Sequence, residues 1–156
     1  LLDQGARRIA TITGPMDMNA GRERRRGFED AMAAAGLEMA GLEVGDFTAV
    51  GGDLAAQRIL QRSPDLDGLF VASDLMGVGA MRAFHHAGRS VPEDILVVGF
   101  DNSTAALQTD PPLTTMTNPA SELTRLAAEM LLQILDGHQP TSPVILTSDL
   151  VRRGSA

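Results

Sequence analysis

The 156-residue sequence contains no cysteine, no tryptophan and no tyrosine, and its five phenylalanines are the only aromatic residues. Without cysteine there is no disulfide framework, no thiol nucleophile and no thiolate metal site, and the composition fits a reducing compartment. Cations are also scarce: 13 Lys and Arg stand against 20 Asp and Glu, a formal net charge of −7. A phosphate backbone is gripped by clustered Lys and Arg, so this stretch is not expected to hold nucleic acid by itself. No apolar run approaches the roughly 20 residues of a membrane span, and no signal-peptide pattern is present. Walker loops, G-x-G-x-x-G fingerprints and G-x-S-x-G elbows are missing too. His85 and His86 would lie about 100° apart on a helix and so do not share a metal as i, i+4 neighbours do. His138 follows Gly137 in a turn, and neither a cofactor nor a metal is expected.

What is present is an apolar fraction of 44%, enough for one domain with a core. Strand and helix patterns alternate along the chain. "RIATIT" (8–13) is a β-rich run stopped at Gly14–Pro15. Phe28, Ala31, Met32 and Ala35 then fall on one face of a helix over about 20–35 that stops at Gly36. A short strand at 42–44 and a loop "GDFTAVGGD" precede a helix over 53–62. "GLFVAS" (68–73) and Ile95–Phe100 read as strands buried on both faces, separated by a helix over 74–87. Inside that helix the glycines of "GVGAM" are suited to close packing. Pro111 and Pro112 keep "TDPPLTTMT" from being helical. A helix over 119–136 is expected to start on Asn118 as N-cap with Pro119 at its first position. Its apolar face is Leu123, Leu126, Ala127, Met130, Leu131 and Ile134, and a last strand is expected at 143–148. Alternation of this kind implies an α/β fold built on a parallel sheet.

In such a sheet the carboxyl ends of the strands form one rim, where ligands bind. The rim carries Gly14–Pro15, Ser73–Asp74 and Asp101–Asn102. Arg22, Arg24, Arg25 and Arg26 lie early in the helix after Gly14, where the helix dipole disfavours cations. Arg22 or Arg24 turning back to a carboxylate or ligand is one reading, and a solvated basic face is the other. Phe47 stands in a polar loop as either a loop anchor or a ring for stacking on a sugar. Ser73 and Asp74 also suit the cap and first turn of the next helix. Asp101, directly after a buried strand, needs partners for its carboxylate.

"RRIATITGP", "RERRRGFEDAM", "LFVASDLMGVGAMRAFHHAGRSVPEDILVVGFDN", "PPLTTMTNP" and "LVRRGS" together resemble the effector-binding domain of the lactose/galactose repressor family of bacterial transcription regulators. The resemblance implies a two-lobed, periplasmic-binding-protein-like fold with an effector between the lobes and a helix-turn-helix head on the amino side. Residues 1–118 would be the second lobe, 119–142 a crossover helix packing on the first lobe, and 143–156 the return strand and tail. The start at Leu1–Leu2, reading as a helix end entering a strand, is consistent with a piece of a longer protein. The resemblance also implies effector contacts at Arg24, Asp101 and Phe47, at Ser73 where sugar-binding members often have Asn, and along a wall that includes Met18 and Ala20. The implied partners are a small-molecule effector of carbohydrate type, operator DNA through the separate head, and a second copy in a cytoplasmic homodimer. The dimer would use the helix from Asp74 and the loop after Asn102. Two rivals share the residue pattern: an exported sugar-binding protein of a transporter, and a small α/β enzyme using Asp74 or Asp101.

Overall fold

In the computed structural model, which describes residues 1–138 and 142–156, six strands form one sheet in the order β2-β1-β3-β4-β5-β6. These are β1 (Ile9–Thr13), β2 (Gly41–Val44), β3 (Gly68–Val71), β4 (Leu96–Asp101), β5 (Thr114–Thr117) and β6 (Leu150–Val151). The first five run parallel, and β6 pairs antiparallel with β5 through Thr115↔Val151 and Met116↔Leu150. Helices α1 (Asn19–Ala34), α2 (Ala49–Arg62) and α3 (Asp74–His86) follow β1, β2 and β3 as crossovers, and α4 (Ala120–Leu135) follows β5.

The strands sort their side chains between two faces by the period of two. Ala10, Ile12, Leu69, Val71 and Val97 point to one face, where Ala55, Ala56 and Ile59 of α2 and Met76, Ala80 and Phe84 of α3 close the main core. Ile9 and Phe70 point to the other face and meet Phe28 and Met32 of α1, with the Phe28 and Phe70 rings stacked 6.1 Å apart. Helices α2 and α3 approach until backbone meets backbone. A Cβ on Gly79 would stand 1.9 Å from the Ala49 carbonyl oxygen, and one on Gly52 would stand 2.2 Å from that of Met76. The glycines inside "GVGAM" therefore serve packing, as their position in a helix suggested.

Three details differ from the sequence reading. Helix α2 begins at Ala49, not 53, because the Thr48 hydroxyl caps it by accepting from the Gly51 amide at 2.9 Å; Gly51 and Gly52 are helical. The stretch 143–148 forms no strand. A strand needs a ladder partner, and among the described residues this stretch has none. The chain rejoins the sheet later, at β6. Asn118 does not cap α4: Pro119 holds the N-cap position without a side-chain cap bond, and the Asn118 amide is engaged elsewhere. Helix α4 buries none of its residues, and Leu123, Leu131, Leu132, Ile134 and Leu135 are exposed.

The tail after β6 fastens the sheet. The Ser155 hydroxyl, fully buried, accepts from the Thr114 amide at 2.8 Å and donates to the Val97 carbonyl at 2.6 Å, bridging β4 and β5. Ser155→Ala strands both backbone groups, and a loss of about 2 kcal/mol is expected. Urea unfolding is the check, and an unchanged midpoint would refute the bridge.

Candidate functional site

The carboxyl ends of β1, β3, β4 and β5 converge on one cluster. Arg24, in the second turn of α1, reaches across the rim. One Nη donates to the Ala72 carbonyl at 2.5 Å, and the other meets Asp101 Oδ1 at 3.3 Å. The guanidinium lies 3.8 Å from the centre of the Phe100 ring and 5.9 Å from that of Phe47. Cation and rings therefore stack, which fixes the plane of the guanidinium. Arg22 turns instead to the Met16 carbonyl at 2.9 Å and to the Asn19 side chain. Of the two arginines left open by the sequence, Arg24 is the one directed at the rim carboxylate.

Asp101 sits in an unusual backbone position, with φ 119°, followed by Asn102 at φ 51°. Non-glycine residues rarely hold such angles, and they persist where the surroundings over-determine them. The surroundings here are specific. Asp74, fully buried, accepts from the Ser103 amide at 2.7 Å, the Ser103 hydroxyl at 3.1 Å and the Thr115 hydroxyl at 2.5 Å. Thr115 in turn accepts from the Asn102 amide at 3.3 Å. From the tail, Arg153 donates to Asn102 Oδ1 at 2.6 Å and to the Leu113 carbonyl at 2.8 Å. The turn after β4 is thus clamped from α3, β5 and the tail, and it presents Asp101 beside Arg24.

Burial pushes the Asp101 carboxyl above its ordinary value, although Arg24 and the Asn118 amide pull it down. Burial likewise lowers Arg24, against the attraction of Asp101. Each group is short of solvation that its partner does not fully replace.

The other expected site residues are placed as follows. Phe47, also at positive φ, lays its ring over Gly14, where a Cβ would come within 2.1 Å of the ring's Cζ. It packs partly on the main core, so it is a loop anchor whose ring also borders the rim. The Ser73 hydroxyl accepts from the Met76 amide at 3.3 Å and is buried, the helix-capping role that its residue type also suggested. Asp74 lies in the first turn of α3, but its carboxylate acts at long range. Met18 is exposed at the N-cap of α1 and makes no cap bond, and Ala20 lies in the first turn. A hollow of about 870 Å³ beside α1 shares Ala20, Arg24 and Phe100 with the rim, but not Asp101, Phe47 or Ser73. Its lining of Phe28, Phe70, Val98 and Met116 is an apolar sheet face, ill-suited to hydroxyls. Phe100 and Asn118 were not foreseen: the first read as strand core, and the second as a helix cap. Among the described residues no group of three or more His, Asp or Glu could hold a metal, and no helix is long and apolar enough to cross a membrane.

A family model for a periplasmic binding protein-like domain matches residues 1–156. The chain belongs to this family. Its relatives include the HTH-type transcriptional regulator CelR of Thermobifida fusca, 45% identical over 99% of this chain and 46% of the regulator. The ribose operon repressor of Escherichia coli strain K12 is 40% identical over 100% of the chain and 48% of that protein. Among solved structures, a complex of the regulator CelR with cellobiose superposes with a TM-score of 0.94 at 44% identity, covering 100% of this chain and 49% of the other. A lac repressor dimer bound to operator and the anti-inducer ONPF gives a TM-score of 0.95 at 29% identity, over 99% and 54%. The resemblance to the lactose/galactose repressor family thus holds across the whole chain, which spans about half the length of these relatives.

Proposed function

We propose that this periplasmic-binding-protein-like domain is the effector-sensing part of a bacterial transcriptional regulator, and that its ligand is an uncharged carbohydrate. The observation that carries the reading is the Arg24–Asp101 pair at the strand ends, stacked on Phe100 and bordered by Phe47. Carboxylate and guanidinium offer acceptors and donors to vicinal hydroxyls, and the rings offer a surface to the C–H face of a sugar. The arginines of the rim are already engaged, which selects against a phosphosugar. Arg24 is matched by the Asp101 carboxylate, and Arg22 and Arg153, which keep their charge, are hydrogen-bonded to Met16 and Asn19 and to Asn102 and Leu113. A phosphate dianion would have to draw one of these guanidiniums away from its partners.

Residues 1–118 form the lobe that carries the site, and the exposed apolar face of α4 packs on a second lobe. The boundary expected at 142 falls just past residues 139–141, which lie outside the described ones. The strand expected at 143–148 would find its ladder in that second lobe. Val50 and Leu54 on α2, Leu75 on α3 and Leu107 after β4 are exposed apolar side chains on adjoining elements, and they supply a homodimer face. Operator DNA is held by a separate head, consistent with the acidic charge of this chain. An effector changes operator affinity only through its differential affinity for the two lobe arrangements. The domain senses without turnover and acts in the cytoplasm, where operator DNA lies; what supports this is that its relatives are transcriptional regulators.

Isothermal titration calorimetry of the full-length protein is the test, with cellobiose, ribose and other neutral sugars set against sugar phosphates. Heat from a neutral sugar, with an accompanying shift in operator affinity, is the expected result. Binding confined to sugar phosphates would refute the charge argument. Sugar binding with no effect on DNA would favour a transport-type binding protein.

A further inference from the structure

Asp101 accepts two side-chain hydrogen bonds, and both arrive at the same oxygen. Oδ1 takes Arg24 at 3.3 Å and the Asn118 amide at 3.2 Å, while Oδ2 receives none among the described residues. A carboxylate has about four lone-pair directions, so this asymmetry leaves one whole oxygen available. Asn118 stands in the short link between β5 and α4. The same link is tied to the chain returning toward β6, because the Thr117 amide donates to the Asp149 carbonyl and the Asp149 amide to the Thr117 hydroxyl, both at 2.8 Å. The residue that touches Asp101 therefore lies where both strands of the chain pass out of the sheet.

We propose that Asn118 is a positioning residue for effector binding: with Arg24 it ties down Oδ1 of Asp101 and leaves Oδ2 as the oxygen offered to the ligand. The inference rests on the effector reading above and adds to it a named route from the Asp101 carboxylate, where the ligand is held, to the link before α4. An effector hydroxyl that orders Oδ2 also orders Oδ1, and with it the amide of Asn118. The link is thereby held at one geometry when the site is filled. Local pattern does not point to this role, because Asn before Pro at a helix start has the plain explanation of a cap.

The test has a readout that needs no ligand. The charged and polar groups facing Asp101 are Arg24 from α1, Asp74 from the first turn of α3 and Asn118 from the link. Removing the amide takes away one of the two side-chain hydrogen bonds that favour the ionised carboxylate. In Asn118→Ala the Asp101 midpoint, followed by carboxyl-carbon NMR and assigned with Asp101→Asn, is expected to rise. Affinity for the best-binding neutral sugar of the calorimetric series, with cellobiose as first probe, is expected to fall about fivefold. Asn118→Asp keeps the size of the side chain but sets a second carboxyl against Oδ1, so both effects should be larger. An unmoved midpoint in both variants overturns the clamp whatever the ligand proves to be. A raised midpoint with unchanged sugar affinity overturns the positioning role. If the unmutated protein binds no neutral sugar, the effector reading falls and the role of Asn118 in it falls too, while the midpoint still reports separately on the hydrogen bond.

Discussion

Asp101→Ala is expected to weaken effector binding about 100-fold in the full-length protein, the loss of two hydrogen bonds to a charged acceptor. Alanine also has to hold φ 119°, so part of any loss could come from the backbone. Asp101→Asn separates the two causes. Asparagine tolerates positive φ and keeps a neutral acceptor, so a loss of about tenfold is expected, with the turn intact. The two proteins should also differ in pH dependence. Burial holds the Asp101 carboxyl above its ordinary value, so in the native protein affinity declines as pH falls through that raised value, at a higher pH than an exposed aspartate would give. Asp101→Asn should lose that limb of the profile. For the fold the sign is opposite. A folded pKa raised above the unfolded one makes the ionised group a burden at neutral pH, and acidification through the folded value relieves it. Affinity and unliganded stability should therefore move in opposite directions over the window in which Asp101 titrates. Affinity of Asp101→Ala within twofold of the native protein, measured by calorimetry at neutral pH, would sink the assignment.

Most of the sheet was legible because its strands are short apolar runs closed by turn residues, and because the helices between them carry a 3.6-residue period. The positions β1, β3 and β4 follow from that pattern alone. Strand β5 did not. Thr114–Thr117 has two buried threonines and one half-buried methionine, so it lacks the apolar run that marks a central strand. Its partners are side chains far away in sequence, Ser155 and Asp74, which local patterning does not register. Strand β6 was misplaced for a related reason. "VILT" (144–147) has the better β-forming composition, yet a ladder partner decides where a strand forms. At the site, Arg24, Asp101 and Phe47 could be named from their place at the rim and from the family resemblance. Phe100 was hidden by its own strand, since an aromatic in a buried run reads as core. Asn118 was hidden by a stronger local explanation. Asp74 is the instructive case: its position in the first turn of α3 suggested a helix-dipole role, and only the fold shows which loop it holds.

Asp74→Ala is expected to be the most destabilising single change in the site, at about 3 kcal/mol. Its carboxylate lies between α3 and the turn after β4, fully buried, and it is the acceptor for three donors. Truncation leaves the Ser103 amide and the Thr115 hydroxyl without it, and an unsatisfied buried donor costs about 1–3 kcal/mol. The space left behind is also unfavourable, because Gly99 packs against this carboxylate so closely that a Cβ would stand 2.6 Å from Oδ1. For a chain of this length the loss corresponds to about 10 °C in thermal midpoint. Asp74→Asn retains one acceptor and loses the other, so it should fall between the native protein and the alanine variant. The consequences extend to the ligand. Asp101 and Asn102 hold positive φ only because Ser103, Thr115 and Arg153 fix the turn from three sides, and Asp74 anchors two of these. Below its lowered midpoint the alanine variant should still be folded, yet it should bind effector more weakly, with the turn free to relax toward ordinary angles. A thermal midpoint lowered by less than about 2 °C would mean that the turn is held by the tail alone. In that case Arg153, and not Asp74, would be the residue on which the geometry of Asp101 depends.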